Sequence, residues 1–119
     1  ISKSKIGGRF MTKKELVELL EKLKIPIKEG TPTDEIMEDE VRVCFWDYYW
    51  EDQTASGKDY NTIVTYQISI IADRPRHTKL LELKHLLNDI ELFPAIQHEY
   101  DPETRRWHSF FSLEVLENV

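Results

Sequence analysis

Any chemistry in this chain would come from its four histidines, its single cysteine, or its 22 Asp and Glu residues. The histidines are His77, His85, His98 and His108. His98 and His108 are spaced to face each other across a C-terminal hairpin with Glu99 beside them, which would imitate part of a metal site. Alternation turns Glu99 away from His98, however, and two histidines are an incomplete ligand set, so no metal is expected. Cys44 with a histidine would suggest a thiol nucleophile. It sits mid-strand among aromatics with no evident cation to lower its pKa, and packing is its expected role. A Gly-rich phosphate loop, a cysteine pair and a His-x-x-x-His helix are all missing. The carboxylates fall mostly in loops and on helix surfaces, where nothing fixes two of them at a catalytic separation. The residues single out no active site, and no cofactor is expected.

What stands out instead is the run Trp46-Asp47-Tyr48-Tyr49-Trp50. Aromatic faces beside an Asp suit sugar rings. Trp and Tyr are also enriched in the energetically dominant core of protein interfaces. A third reading packs the rings inside the chain itself, beneath residues 25–40. Three large rings left in water would form a patch of the size that marks a partner site. If Val41, Val43 and Phe45 face the core, strict alternation sends Trp46, Tyr48 and Trp50 outward together, provided no bulge intervenes. The candidate interface is therefore Trp46, Tyr48 and Trp50, joined by Asp52, Lys58 and Asp59 at the hairpin tip.

The elements that position this run follow from periodicity. From Thr62, the residues Val64, Tyr66, Ile68, Ile70 and Ala72 fall on one face and Thr65, Gln67, Ser69 and Asp73 on the other, the pattern of a half-buried antiparallel strand. Val41–Trp50 pairs with it, and the polar residues 51–59 between them are expected to be a mobile tip that orders in an assembly. Upstream, Thr12 with Glu15 has capping-box spacing, and Leu16, Leu19, Leu20 and Leu23 make the apolar stripe of a helix over 12–24 that Pro26 ends. A second helix is expected from a Thr78 cap, with Leu80, Leu83, Leu86, Leu87 and Ile90 buried. Residues 95–100 and 107–116 then form a hairpin closed by a turn at Asp101-Pro102. The acidic stretch 34–40 reads as a solvated loop or as protection for a sheet edge.

The order α-β-β-α-β-β predicts an α+β fold, a four-stranded, mainly antiparallel sheet with two helices packed on one face. At 119 residues the chain is one domain, and residues 11–119 are expected to form it. Residues 1–10 are expected to be a flexible leader ahead of a native start at Met11; the alternative is an arm that orders on a partner. A lone cysteine permits no intrachain disulfide and suits a reducing compartment. No apolar run approaches the ~20 residues of a membrane span. The net charge of −6 argues against a grip on nucleic acid.

With these elements placed, the chain resembles the tail-terminator (tail-completion) proteins of long-tailed phages and prophages. The resemblance rests on the element order and on an aromatic-Asp-Tyr segment, a polar loop, then a Tyr and a Tyr-Gln-Ile strand. Phe45, Asp47, Tyr48, Asp59, Tyr60, Tyr66, Gln67 and Ile68 occupy those places, and the match runs from Thr12 to Glu117. The resemblance implies a non-enzymatic virion protein, assembled in the host bacterial cytoplasm as a ring, usually a hexamer. That ring would end the tail tube, meet the tube protein on one side and the head connector on the other, and let DNA pass without specific binding. The alternative, from the residues alone, is a monomeric ligand-binding or enzymatic α+β domain that uses the aromatic face.

Overall fold

In the computed structural model, which describes residues 5–6, 9–31, 41–54 and 60–119, the chain runs β1 (Lys5–Ile6), β2 (Arg9–Thr12), α1 (Lys13–Glu21), β3 (Ile27–Glu29), β4 (Val41–Thr54), β5 (Tyr60–Ala72), α2 (Thr78–Asp89), β6 (Gln97–Asp101) and β7 (Arg106–Glu117). The strands form one sheet in the order β1-β2-β7-β5-β4-β3, with β6 also on β7. The expected antiparallel set β4, β5, β6 and β7 is present. The sheet is nevertheless wider than four strands and mixed, because β2 joins β7 and β3 joins β4 in parallel. These added strands are two to four residues long, too short to display a period of two.

The hairpin of β4 and β5 dominates the shape. Strands of 14 and 13 residues at ~3.3 Å per residue reach about 45 Å, which sets the long axis of a molecule measuring 50 × 28 × 22 Å. Their alternation places Val43, Phe45, Val64, Ile68 and Ile70 with Phe111, Leu113 and Val115 of β7 on the helix-bearing face. Leu16, Leu20 and Leu23 from the α1 segment and Leu80, Leu83 and Leu87 from α2 close over them in one continuous core. The helix phasing read from the leucine spacing is therefore correct.

Both helices are capped by local chemistry. Thr12 Oγ1 accepts from Glu15 N at 3.1 Å while Glu15 Oε1 accepts from Thr12 N at 3.0 Å, the expected reciprocal box. The Arg9 guanidinium grips the same carboxylate at 2.7 and 2.9 Å and, with the Thr12 N–H, holds Glu15 down at a pKa of about 2. At α2 the cap is His77 rather than Thr78: its Nδ1 accepts from Lys79 N at 3.0 Å. The α2 C-terminus turns on Glu91, whose φ of 62° is left-handed. Leu92 N–H donates to Leu87 O at 2.9 Å and Glu91 N–H to Asn88 O at 3.0 Å, the paired bonds of a Schellman ending. A side chain there is strained, so Glu91→Gly is expected to stabilise the fold by roughly 0.5–1 kcal/mol. A urea unfolding midpoint that does not rise would show that the strain is already relieved.

Two further expectations need correction. His98 and His108 do not face each other. Register pairs His98 with Ser109 and Glu99 with His108, and His98 Nδ1 instead meets Ser109 Oγ at 2.7 Å. Four residues separate the paired Asp101 and Arg106, with Arg105 left-handed at φ 58°. That loop length moves the register by one, and a one-residue shift reverses the face. Cys44 does have a cation nearby, since Arg42 Nη2 lies 3.5 Å from its sulfur. Burial still outweighs that charge and pushes the thiol up, so Cys44 is a packing residue.

Candidate interface on the long hairpin

The aromatic run lies where the hairpin leaves the core. Up to Asp47 the pairing of β4 with β5 is regular: Phe45 opposes Ile68, Trp46 opposes Gln67 and Asp47 opposes Tyr66. Tyr49 then opposes Thr65 and Trp50 opposes Val64, so Tyr48 is an extra residue at a β-bulge. The consequence is a change of parity. Before the bulge, odd-numbered residues face the helices; after it, even-numbered ones do. Trp46 and Trp50 therefore emerge on opposite faces of the sheet, and the expected single patch of Trp46, Tyr48 and Trp50 does not form.

Each ring has its own setting. Trp46 is half-buried on the face away from the helices, and Tyr48 stands on that face with its hydroxyl 2.8 Å from Ser112 Oγ. Tyr49 follows beside Thr65. Trp50 sits on the helix side, where its indole N–H donates to Asp47 Oδ2 at 2.6 Å. Tyr48, Tyr49 and Trp50 are 56%, 55% and 56% exposed, which excludes the reading that packs all the rings inside the chain. Asp52 accepts from Thr62 Oγ1 at 2.9 Å across the hairpin. Lys58 and Asp59 lie outside the described residues, as does most of the tip expected to be mobile.

Sequence reading missed Tyr49, which is as exposed as its neighbours; only the position of the bulge would have assigned it. The helix side of the arm also has a charged rim that no motif announced. Tyr66 OH donates to Glu117 Oε2 at 2.7 Å, and burial together with that carboxylate pushes the phenol well above its ordinary pKa. Lys13 Nζ sits 6.0 Å from the Tyr66 ring centroid and pairs with Glu29 at 2.9 Å. That pairing raises its pKa. Asp47 lies directly across from Tyr66 in the register, so Trp50 emerges beside an acidic border.

The outer edge of β4 completes the geometry. β3 pairs with it only through Val43–Phe45. Among the described residues, no strand covers that edge from Asp47 to Thr54. A hairpin with exposed rings on both faces and an open edge can be gripped from either side. Among the described residues there is no cluster of three or more His, Cys, Asp or Glu able to hold a metal. No described helix is long and apolar enough to cross a membrane.

No family model matches the chain, and no curated protein sequence matches it. Among solved structures, the sheath/tube terminator of an extracellular contractile injection system (PVC) in its extended state is similar over 89% of this chain and 55% of that one. The TM-score is 0.41 and the identity 11%. The chain thus spans about half the length of that neighbour, and similarity at this level leaves fold and role to be argued from this chain's own residues.

Proposed function

We propose that this chain is a non-enzymatic structural subunit of a phage-type tail, assembling with copies of itself into a ring, a hexamer by family resemblance, that ends the tail tube. The observation that carries the proposal is the hairpin arm, with Tyr48 and Tyr49 on one face and Trp50 on the other, all more than half exposed. A folded domain leaves such a surface open when a partner covers it. A ring subunit uses two different patches, one for each neighbour, and a two-sided arm supplies them. The ring would meet the tube protein below and the head connector above. The net charge of −6 suits a lumen that passes DNA without holding it.

The test uses the tail-tube protein of the phage or prophage genome that encodes this chain. Tubes polymerised with the chain present are expected to stop growing and to carry a ring at one end in negative-stain images. Tubes of unchanged length with bare ends, the chain remaining monomeric in solution, would overturn the proposal.

A further inference from the structure

The face of the sheet turned away from the helices holds a cleft of about 400 Å³ that the ring proposal does not use. Its floor is a diagonal strip across four strands. Trp46 on β4 adjoins Gln67 on β5, Ser69 adjoins Phe110 on β7, and His108 adjoins Glu99 on β6. All six line the cleft.

The hydrogen-bonding state of these groups points to a ligand. Ser69 is 2% exposed yet lines the cleft. Among the described residues, no side-chain hydrogen bond engages the Trp46 indole N–H, the Gln67 amide or the Ser69 hydroxyl. His108 Nε2 is buried and likewise unbonded, and burial holds the ring below its ordinary pKa despite Asp101 and Glu99 nearby. Buried polar groups are normally satisfied, so the unbonded His108 Nε2, beside the unengaged groups of Trp46, Gln67 and Ser69 that line the same cleft, marks a place where something else supplies the partners.

The balance of donors and acceptors narrows the class. Glu99 offers only acceptors and the Trp46 N–H only a donor, while Gln67, Ser69 and neutral His108 offer both. A cation would leave the donors unmet, and an anion would meet the Glu99 and Asp101 carboxylates, whose charge is felt at His108 more strongly than that of the buried Arg42 guanidinium. A neutral ring with several hydroxyls serves both kinds of group, and its C–H face stacks on Trp46 or Phe110. We propose that this cleft binds a neutral saccharide of one or two pyranose units. The cleft volume lies in the range of ordinary small-ligand sites. This proposal is independent of the ring reading, because its residues lie before the bulge and leave Tyr49 and Trp50 free.

The experiment follows the indole N–H signals of Trp46, Trp50 and Trp107 and the Gln67 side-chain amide by NMR. The full chain is titrated with methyl glucoside, cellobiose, maltose, lactose and diacetylchitobiose, and separately with a capped tri-alanine peptide. At least one is expected to move the Trp46 and Gln67 signals along a saturating curve while the Trp50 signal stays fixed. Trp46→Ala and Gln67→Ala should each weaken binding about tenfold or more with an unchanged unfolding midpoint. Should Trp46→Ala unfold, Gln67→Ala and Trp46→Phe carry the test. Three results would overturn the proposal: no sugar in the panel moves either signal, the variants bind as the parent does, or only a capped tri-alanine peptide moves them.

Discussion

Leu20→Ala and Leu83→Ala will each destabilise the domain by about 3–5 kcal/mol, the upper part of the range for leucines buried without space to collapse. Leu20 is 0% exposed and Leu83 1%. They sit on different helices but share one core with the strand residues beneath, so each truncation opens a void between layers. A domain of this size holds only ~5–15 kcal/mol in total, and either variant should be partly unfolded near its working temperature. Leu81→Ala, on the outward side of α2 and 42% exposed, should stay within about 0.5 kcal/mol of the parent. Urea unfolding of the three variants checks the set. Losses below about 1 kcal/mol at both buried positions would mean that the helices do not close the sheet.

Trp50→Ala and Tyr49→Ala should leave the subunit folded and weaken ring formation on tail tubes by ~2 kcal/mol or more each, as truncation of a buried aromatic anchor does. Folding is spared because both rings are more than half exposed, and the one bond lost at Trp50, to Asp47, lies in solvent. Because the rings stand on opposite faces, they are expected to touch different neighbours, and the double variant should lose both contacts. Thermal unfolding measured beside tube capping separates the outcomes. A variant that melts early would assign its ring to the subunit's own core. Variants that fold and cap tubes normally would remove the arm from the interface.

How much of this was legible depended on the length and purity of each pattern. The β5 segment announced itself because Val64, Tyr66, Ile68, Ile70 and Ala72 alternate with polar residues over a long stretch. The leucine stripes announced both helices and their buried sides. β2 and β3 gave no such signal. Their partners are distant in sequence, and a strand of three or four residues cannot show a period. The bulge was hidden for a different reason. In Trp46-Asp47-Tyr48-Tyr49-Trp50 large rings occur at both parities, so alternation fits equally well with or without an extra residue. The cleft was invisible because Trp46, Ser69, His108 and Glu99 come from four strands and meet only through register. At the start of α2, Thr78 is the usual capping type, and it was displaced by its neighbour His77, whose ring nitrogen accepts from the Lys79 backbone N–H and so starts the helix one residue earlier.

The bulge at Tyr48 divides β4 into two territories under different packing constraints. From Val41 to Phe45 every side chain is buried on one face or the other, and most exchanges carry a folding cost. From Tyr48 outward, both faces of the strand are free of that core, so residues there can be replaced with little effect on the body that holds them. The interface proposed for the arm can therefore change while the folded body stays the same. The joint also tolerates changes of count, since a strand that already carries one surplus residue can lose it and keep both flanking registers. Drift in partner preference is thus expected to accumulate on the distal side of a single residue.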